Sequence, residues 1–104
     1  ENTRTAFRVQ GHHCNAHDSL HGGVMMALAD YTLCLCANGG ETESVVTVSC
    51  NSEFIGPAYK GDLVEGRGEL TRRGGSMVFS RCELFVGETV VLTSSAVIKR
   101  IRKK

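Results

Sequence analysis

Residues 15–40 read NAHDSLHGGVMMALADYTLCLCANGG, and this stretch decides the fold. A polar run ends in His21-Gly22-Gly23, an almost wholly apolar segment follows as far as Ala37, and Gly39-Gly40 stops it. Met26, Ala27, Leu28, Leu33 and Ala37 favour helix, no proline interrupts them, and paired glycines suit a helix C-terminus. The pattern predicts one helix over residues 22–38, about 25 Å long. It is apolar around most of its circumference and is expected to be buried on nearly all sides. Asp30 breaks that pattern. A carboxylate beside Leu28, Ala29 and Leu33 is costly unless paired, hydrogen-bonded or used, so it is either a satisfied structural acid or a functional one.

Around this helix the chain reads as short strands. Residues 5–10 alternate moderately and predict a first strand, and residues 11–19 are a polar loop. A turn at residues 41–44 precedes Val46, Val48, Cys50 and Phe54, whose period of two predicts a half-buried strand with Thr47, Ser49, Asn51 and Glu53 on its polar side. Pro57 ends it. Residues 63–72, with Gly66 and Gly68 read as curvature or a bulge, then residues 77–86 and 89–101 complete four strands joined by tight turns. Short connections imply antiparallel neighbours. A helix apolar on all sides needs a sheet curled around it, so the fold class is α+β: a curved antiparallel sheet wrapped on one central helix. One sheet face is too small to cover that helix, which points to an oligomer.

The 104 residues make one domain spanning the whole chain, residues 1–104. A net charge of +1 gives no case for nucleic acid, and the basic run at residues 99–104 reads as a solvated strand end. No apolar run reaches the roughly 18 residues of a membrane span, and no secretory leader is visible. The chain opens on Glu1 rather than Met, which leaves room for upstream residues. Five cysteines, an odd number without a CxxC pair, predict reduced thiols in a cytoplasmic protein. His12, His13, Cys14, His17 and His21 crowd together, but their spacing fits no common zinc pattern, so no metal is expected.

Asn15, then His21-Gly22-Gly23 six positions on, then Leu28-Ala29-Asp30, stand in register with Val46-Thr47-Val48, Phe54-Ile55-Gly56-Pro57-Ala58 and Gly61-Asp62. Together they resemble the hotdog-fold acyl-CoA thioesterases of the phenylacetate-pathway and 4-hydroxybenzoyl-CoA type, over nearly the whole chain. The resemblance implies a hotdog fold, usually a dimer or dimer of dimers with active sites at the subunit interface. It implies hydrolysis of an acyl-CoA thioester to a carboxylic acid and free coenzyme A, with no cofactor beyond the coenzyme A of the substrate. By the same resemblance Asp30 is the helix acid, as nucleophile or general base. The backbone N–H of Gly22 or Gly23 is the oxyanion donor. Asn15 and His21 match the loop Asn and the HGG histidine, and Thr47 matches a hydroxyl residue on the strand after the helix. Asp18 stands where many relatives carry glycine, and a late histidine of some relatives has no counterpart after His21.

The residues themselves fit that chemistry. A helix N-terminus offers unpaired N–H groups, and two glycines let a substrate approach them. Asn15 either donates to substrate or closes an Asx turn. His21 orients the loop or caps the helix. Thr47 lies on the polar parity of its strand and is expected to face away from the core. Arg72, Arg73, Lys99, Arg100 and Arg102 are candidate partners for the phosphates of coenzyme A. Two other functions are compatible: a hydratase or dehydratase of acyl thioesters, whose usual Asp/His motif is not found, and a non-catalytic acyl-CoA-binding regulatory domain, which has no need of Asp30.

Overall fold

The computed structural model describes residues 2–38 and 44–101. The order is β1 (Asn2–Arg8), a 3-10 turn (Gly11–His13), α1 (Gly22–Asn38), β2 (Ser44–Phe54), β3 (Leu63–Arg73), β4 (Met77–Val86) and β5 (Thr89–Ile101). α1, β4 and β5 have the predicted bounds. β1 starts and ends earlier than predicted, because its antiparallel pairing with β3 runs from Asn2↔Glu69 to Arg8↔Leu63. The expected helix stop at residues 39–40, most of the turn at 41–44, and the basic end from residue 102 onward lie outside the described residues.

The five strands form one antiparallel sheet in the order β1-β3-β4-β5-β2, leaving β1 and β2 as edges. α1 touches all five strands, so the sheet wraps it as expected. The contact is close because the sheet is lined with small residues beneath the helix. Gly68, Cys82, Ser94 and Ser52 pair across β3, β4, β5 and β2 in one row. A Cβ on Gly68 would stand 2.5 Å from Cys36 Sγ, and one on Gly66 would collide with Thr5 Oγ1. These two glycines therefore admit the helix rather than bend the strand, and the irregularity in β3 falls later, between Leu70 and Arg72.

Polar atoms in this seam are paired. Thr32 Oγ1 donates to Leu28 O at 2.8 Å and meets Thr5 Oγ1 at 2.8 Å, while Ser80 Oγ donates to Leu33 O at 3.3 Å. All five cysteines are free thiols. Burial pushes the Cys82 thiol from 9.0 up to about 12, so it stays protonated at neutral pH.

One sheet face leaves part of α1 uncovered in a single chain, as expected. Met25, Ala29, Thr32, Leu33, Cys36 and Ala37 are buried, but Met26 is 42%, Tyr31 59% and Leu35 37% exposed. β2 is not in the phase its apolar period predicts. A bulge falls between Thr47 and Ser49, so Val48 is an extra residue. Before the bulge Thr47 sits opposite buried Ile98; after it Cys50, Ser52 and Phe54 sit opposite Ala96, Ser94 and Leu92. Val46 and Val48 are turned outward, 45% and 55% exposed, and Thr47 turns toward the helix. An extra residue inverts side-chain parity, which a fixed period of two cannot show.

Candidate active site

Asp30 lies midway along α1, half-buried, on the helix side that faces β2. Thr47 Oγ1 donates to Asp30 Oδ1 at 2.7 Å. One helical turn further on, Cys34 Sγ lies 3.5 Å from Thr47 Oγ1 and 3.9 Å from Asp30 Oδ1. Among the described residues nothing donates to Asp30 Oδ2. The acid is thus held through one oxygen and open through the other. Thr47 is brought to it by the bulge, against the parity expected of it. Cys34 is a neighbour that sequence reasoning did not single out; its position four residues beyond Asp30 on one helix face was the available signal.

The helix start is a separate cluster. His21 O accepts from Val24 N at 3.0 Å and Met25 N at 3.2 Å, so His21 opens the helix through its carbonyl. Its own N–H is held by His13 O at 3.1 Å. No acceptor among the described residues takes the N–H of Gly22 or Gly23. A Cβ on Gly22 would come within 3.1 Å of the Phe54 ring, whereas one on Gly23 would meet nothing within 4 Å. Gly22 is therefore packed and Gly23 faces open space.

The loop before it is tied by Asn15. Its Oδ1 accepts from His17 N at 2.8 Å and Ser19 N at 3.2 Å, the Asx turn. That leaves its Nδ2 as the end available to a substrate. Asp18 has φ 60°, a left-handed position that Asp tolerates. No group of three or more His, Cys, Asp or Glu side chains among the described residues is arranged to hold a metal ion. The predicted cations lie at the other end of the helix. Arg73 Nη2 donates to Ala37 O at 3.0 Å, and Arg100 Nη1 to Gly75 O at 3.3 Å; Arg72 and Lys99 are exposed.

The structure does not bring the acid and the helix start together within one chain. Asp30 lies eight positions beyond Gly22, about 12 Å along the helix axis. Cavities of about 510 and 200 Å³ open instead on the outer face of the sheet, beside Arg67, Arg81 and Glu83 and beside Thr71, Phe79 and Val97. None of the candidate residues lines either one.

With this geometry, residues 17–93 match the family model described as the thioesterase superfamily. The chain belongs to the thioesterase superfamily. The match covers α1, β2, β3 and β4 and the start of β5, and so contains Asp30, Gly22, Gly23 and Thr47. The curated Pseudomonas aeruginosa protein named "Putative esterase PA0474" is 32% identical over 94 residues, which are 88% of this chain and 70% of that protein. Among solved structures, the E. coli PaaI protein from the phenylacetic acid degradation operon superposes with a TM-score of 0.92 at 21% identity, over 99% of this chain and 75% of that one. A variant of the phenylacetic acid degradation protein PaaI from Thermus thermophilus gives 0.88 at 25% identity, over 96% and 85%. A Staphylococcus aureus acyl-CoA hydrolase in complex with butyryl coenzyme A gives 0.88 at 19% identity, over 98% and 64%. The hotdog fold of this superfamily member is thus established. No described helix is long and apolar enough to cross a membrane.

Proposed function

We propose that this thioesterase-superfamily protein hydrolyses an acyl-CoA thioester to a carboxylic acid and free coenzyme A. The observation that carries the reading is Asp30, a half-buried helix carboxylate anchored through Oδ1 and open at Oδ2. The open oxygen either attacks the thioester carbonyl or takes a proton from attacking water. Negative charge then builds on the carbonyl oxygen. Two unpaired N–H groups at a helix N-terminus, those of Gly22 and Gly23, are the donors suited to receive it. The thiolate of coenzyme A leaves, and the resident chemistry needs no cofactor. The butyryl coenzyme A complex of the Staphylococcus aureus relative supports coenzyme A as the carrier.

Each site is built from two copies of the chain. Reacting atoms must approach within roughly 3–3.5 Å, and about 12 Å of helix keeps Gly22 from Asp30 of the same copy. Two antiparallel helices related by a two-fold axis bring the acid of one copy beside the glycines of the other. The surface for this is at hand: exposed Met26, Tyr31 and Leu35 on α1, beside the open edge of β2 with exposed Val46 and Val48. In that arrangement the C-terminal end of one helix, with Arg72, Arg73, Lys99 and Arg100, lies toward the helix start of the other. There these cations can meet the phosphates of coenzyme A. Five free thiols fit a reducing compartment such as the cytoplasm.

Asp30→Asn tests the reading. It keeps the shape and removes the charge, and kcat for release of coenzyme A should fall at least ~100-fold. Stability should hold, because Asn still accepts from Thr47. A folded variant with kcat near the parent would end the assignment.

A further inference from the structure

We propose that Cys34 is a positioning residue for Asp30 and acts through Thr47; the role rests on the reading of Asp30 just given. The Thr47 hydroxyl has one proton. At 2.7 Å that proton goes to Asp30 Oδ1, so the hydroxyl oxygen is left as an acceptor. Cys34 Sγ, 3.5 Å away, is placed to fill it with its S–H. The 3.9 Å contact from Cys34 to Asp30 Oδ1 is the weaker branch of the same arrangement. The result is a chain, S–H to O–H to carboxylate, in which each bond polarises the next.

The chain has a mechanical consequence. Thr47 sits at the bulge of β2, where the regular ladder with β5 is interrupted. Cys34, on the rigid helix, occupies the hydroxyl from behind and aims its proton at Oδ1. All donors then converge on Oδ1, and Oδ2 is presented to the substrate. The thiol keeps its proton in this role. Burial, the largest effect, raises it above its ordinary value; the Thr47 hydrogen bond opposes this in part, and the charge of Asp30 adds to the rise. The titratable groups facing Cys34 are Asp30 on its own helix and Cys50 on β2, both of which raise it.

The test is steady-state kinetics on the full chain as Cys34→Ala, Cys34→Ser, Thr47→Val and the Cys34→Ala/Thr47→Val double variant. Cys34→Ala should lower kcat about fivefold, the scale of one neutral hydrogen bond, with KM unchanged. Cys34→Ser should recover most of that loss. In the Thr47→Val background, Cys34→Ala should change kcat less than about twofold, since the link is already gone. Equal losses in the Ala and Ser variants, multiplicative losses in the double variant, or a Cys34→Ala kcat equal to the parent would overturn the role. A second measurement needs no turnover: the rate at which iodoacetamide alkylates Cys34 at pH 8, followed by peptide mass spectrometry. Asp30→Asn removes the charge that raises the thiol, so alkylation should accelerate several-fold; an unchanged rate would show the two groups uncoupled and overturn the proposal. A parent that shows the coupling but frees no coenzyme A would fail the hydrolase reading alone.

Discussion

Gly22 and Gly23 are adjacent and chemically identical, yet they answer to different constraints. Gly22 lacks a side chain because the Phe54 ring stands where a Cβ would press. Gly23 has open space around it and a helical φ, so the fold itself would accept alanine there. Its smallness is explained only by something that approaches from outside. Gly23→Ala should therefore raise stability by about 0.4–1 kcal/mol, through a less flexible unfolded chain. It should also lower kcat at least ~10-fold, because the methyl stands beside a donor whose removal costs more than that in comparable sites. Thermal denaturation and turnover on the same preparation decide it; a variant both more stable and fully active would remove Gly23 from the donor pair. Asn15 shows the converse situation, a side chain with one end committed to the loop and the other available.

Between elements, the closest packing is where α1 crosses β3. Gly68→Ala would push a methyl to 2.5 Å from Cys36 Sγ and 3.0 Å from Thr32 Cγ2. Overpacking of this kind costs about 1–3 kcal/mol, to be read as a lower denaturant midpoint. Gly75→Ala, whose Cβ would meet nothing within 4 Å, is the control and should leave the midpoint nearly unchanged. The sequence made the helix legible because twelve of the fourteen residues from Val24 to Ala37 are apolar, with paired glycines at either end. It made β4 and β5 legible because Gly74-Gly75 and Gly87 mark the turns between them and their neighbours. It could not show the bulge at Val48. No glycine or proline marks that position, and the alternation of Val46, Val48 and Cys50 runs through it without a break. The misplaced parity is why Thr47 looked solvent-facing and why Cys34 went unnoticed: each is recognisable only once the other is seen against Asp30. Gly66 and Gly68 were visible as glycines, but whether a strand glycine bends a sheet or admits a helix depends on what lies above it.

At the scale of the molecule, the exposed apolar stripe of α1 and the unpaired edge of β2 describe one surface, which the proposed shared site would cover. Complementation tests it. One variant carries Asp30→Asn, the other Asn15→Ala with His21→Ala, each nearly inactive alone. After unfolding, equal mixing and refolding, random pairing gives about half hybrid dimers, each with one intact and one doubly damaged site. Activity should return to roughly a quarter of the parent. No recovery on mixing would place every site within one chain and refute the shared arrangement.

The offset of eight positions from Gly22 to Asp30, on the proposed shared site, also predicts how the protein responds to dilution. On the proposed shared site, a lone copy holds an acid without a donor pair and a donor pair without an acid, so it should turn nothing over. Above the dissociation constant of the pair, rate is proportional to protein. Below it, the active population follows the product of two concentrations and the rate becomes quadratic in protein. A substrate held by both copies, as proposed, favours the assembled pair and should pull the equilibrium toward assembly. Progress curves started from very dilute enzyme should open with a lag that shortens as acyl-CoA is raised, and the lag should vanish when the enzyme is preincubated with a non-hydrolysable thioether analogue.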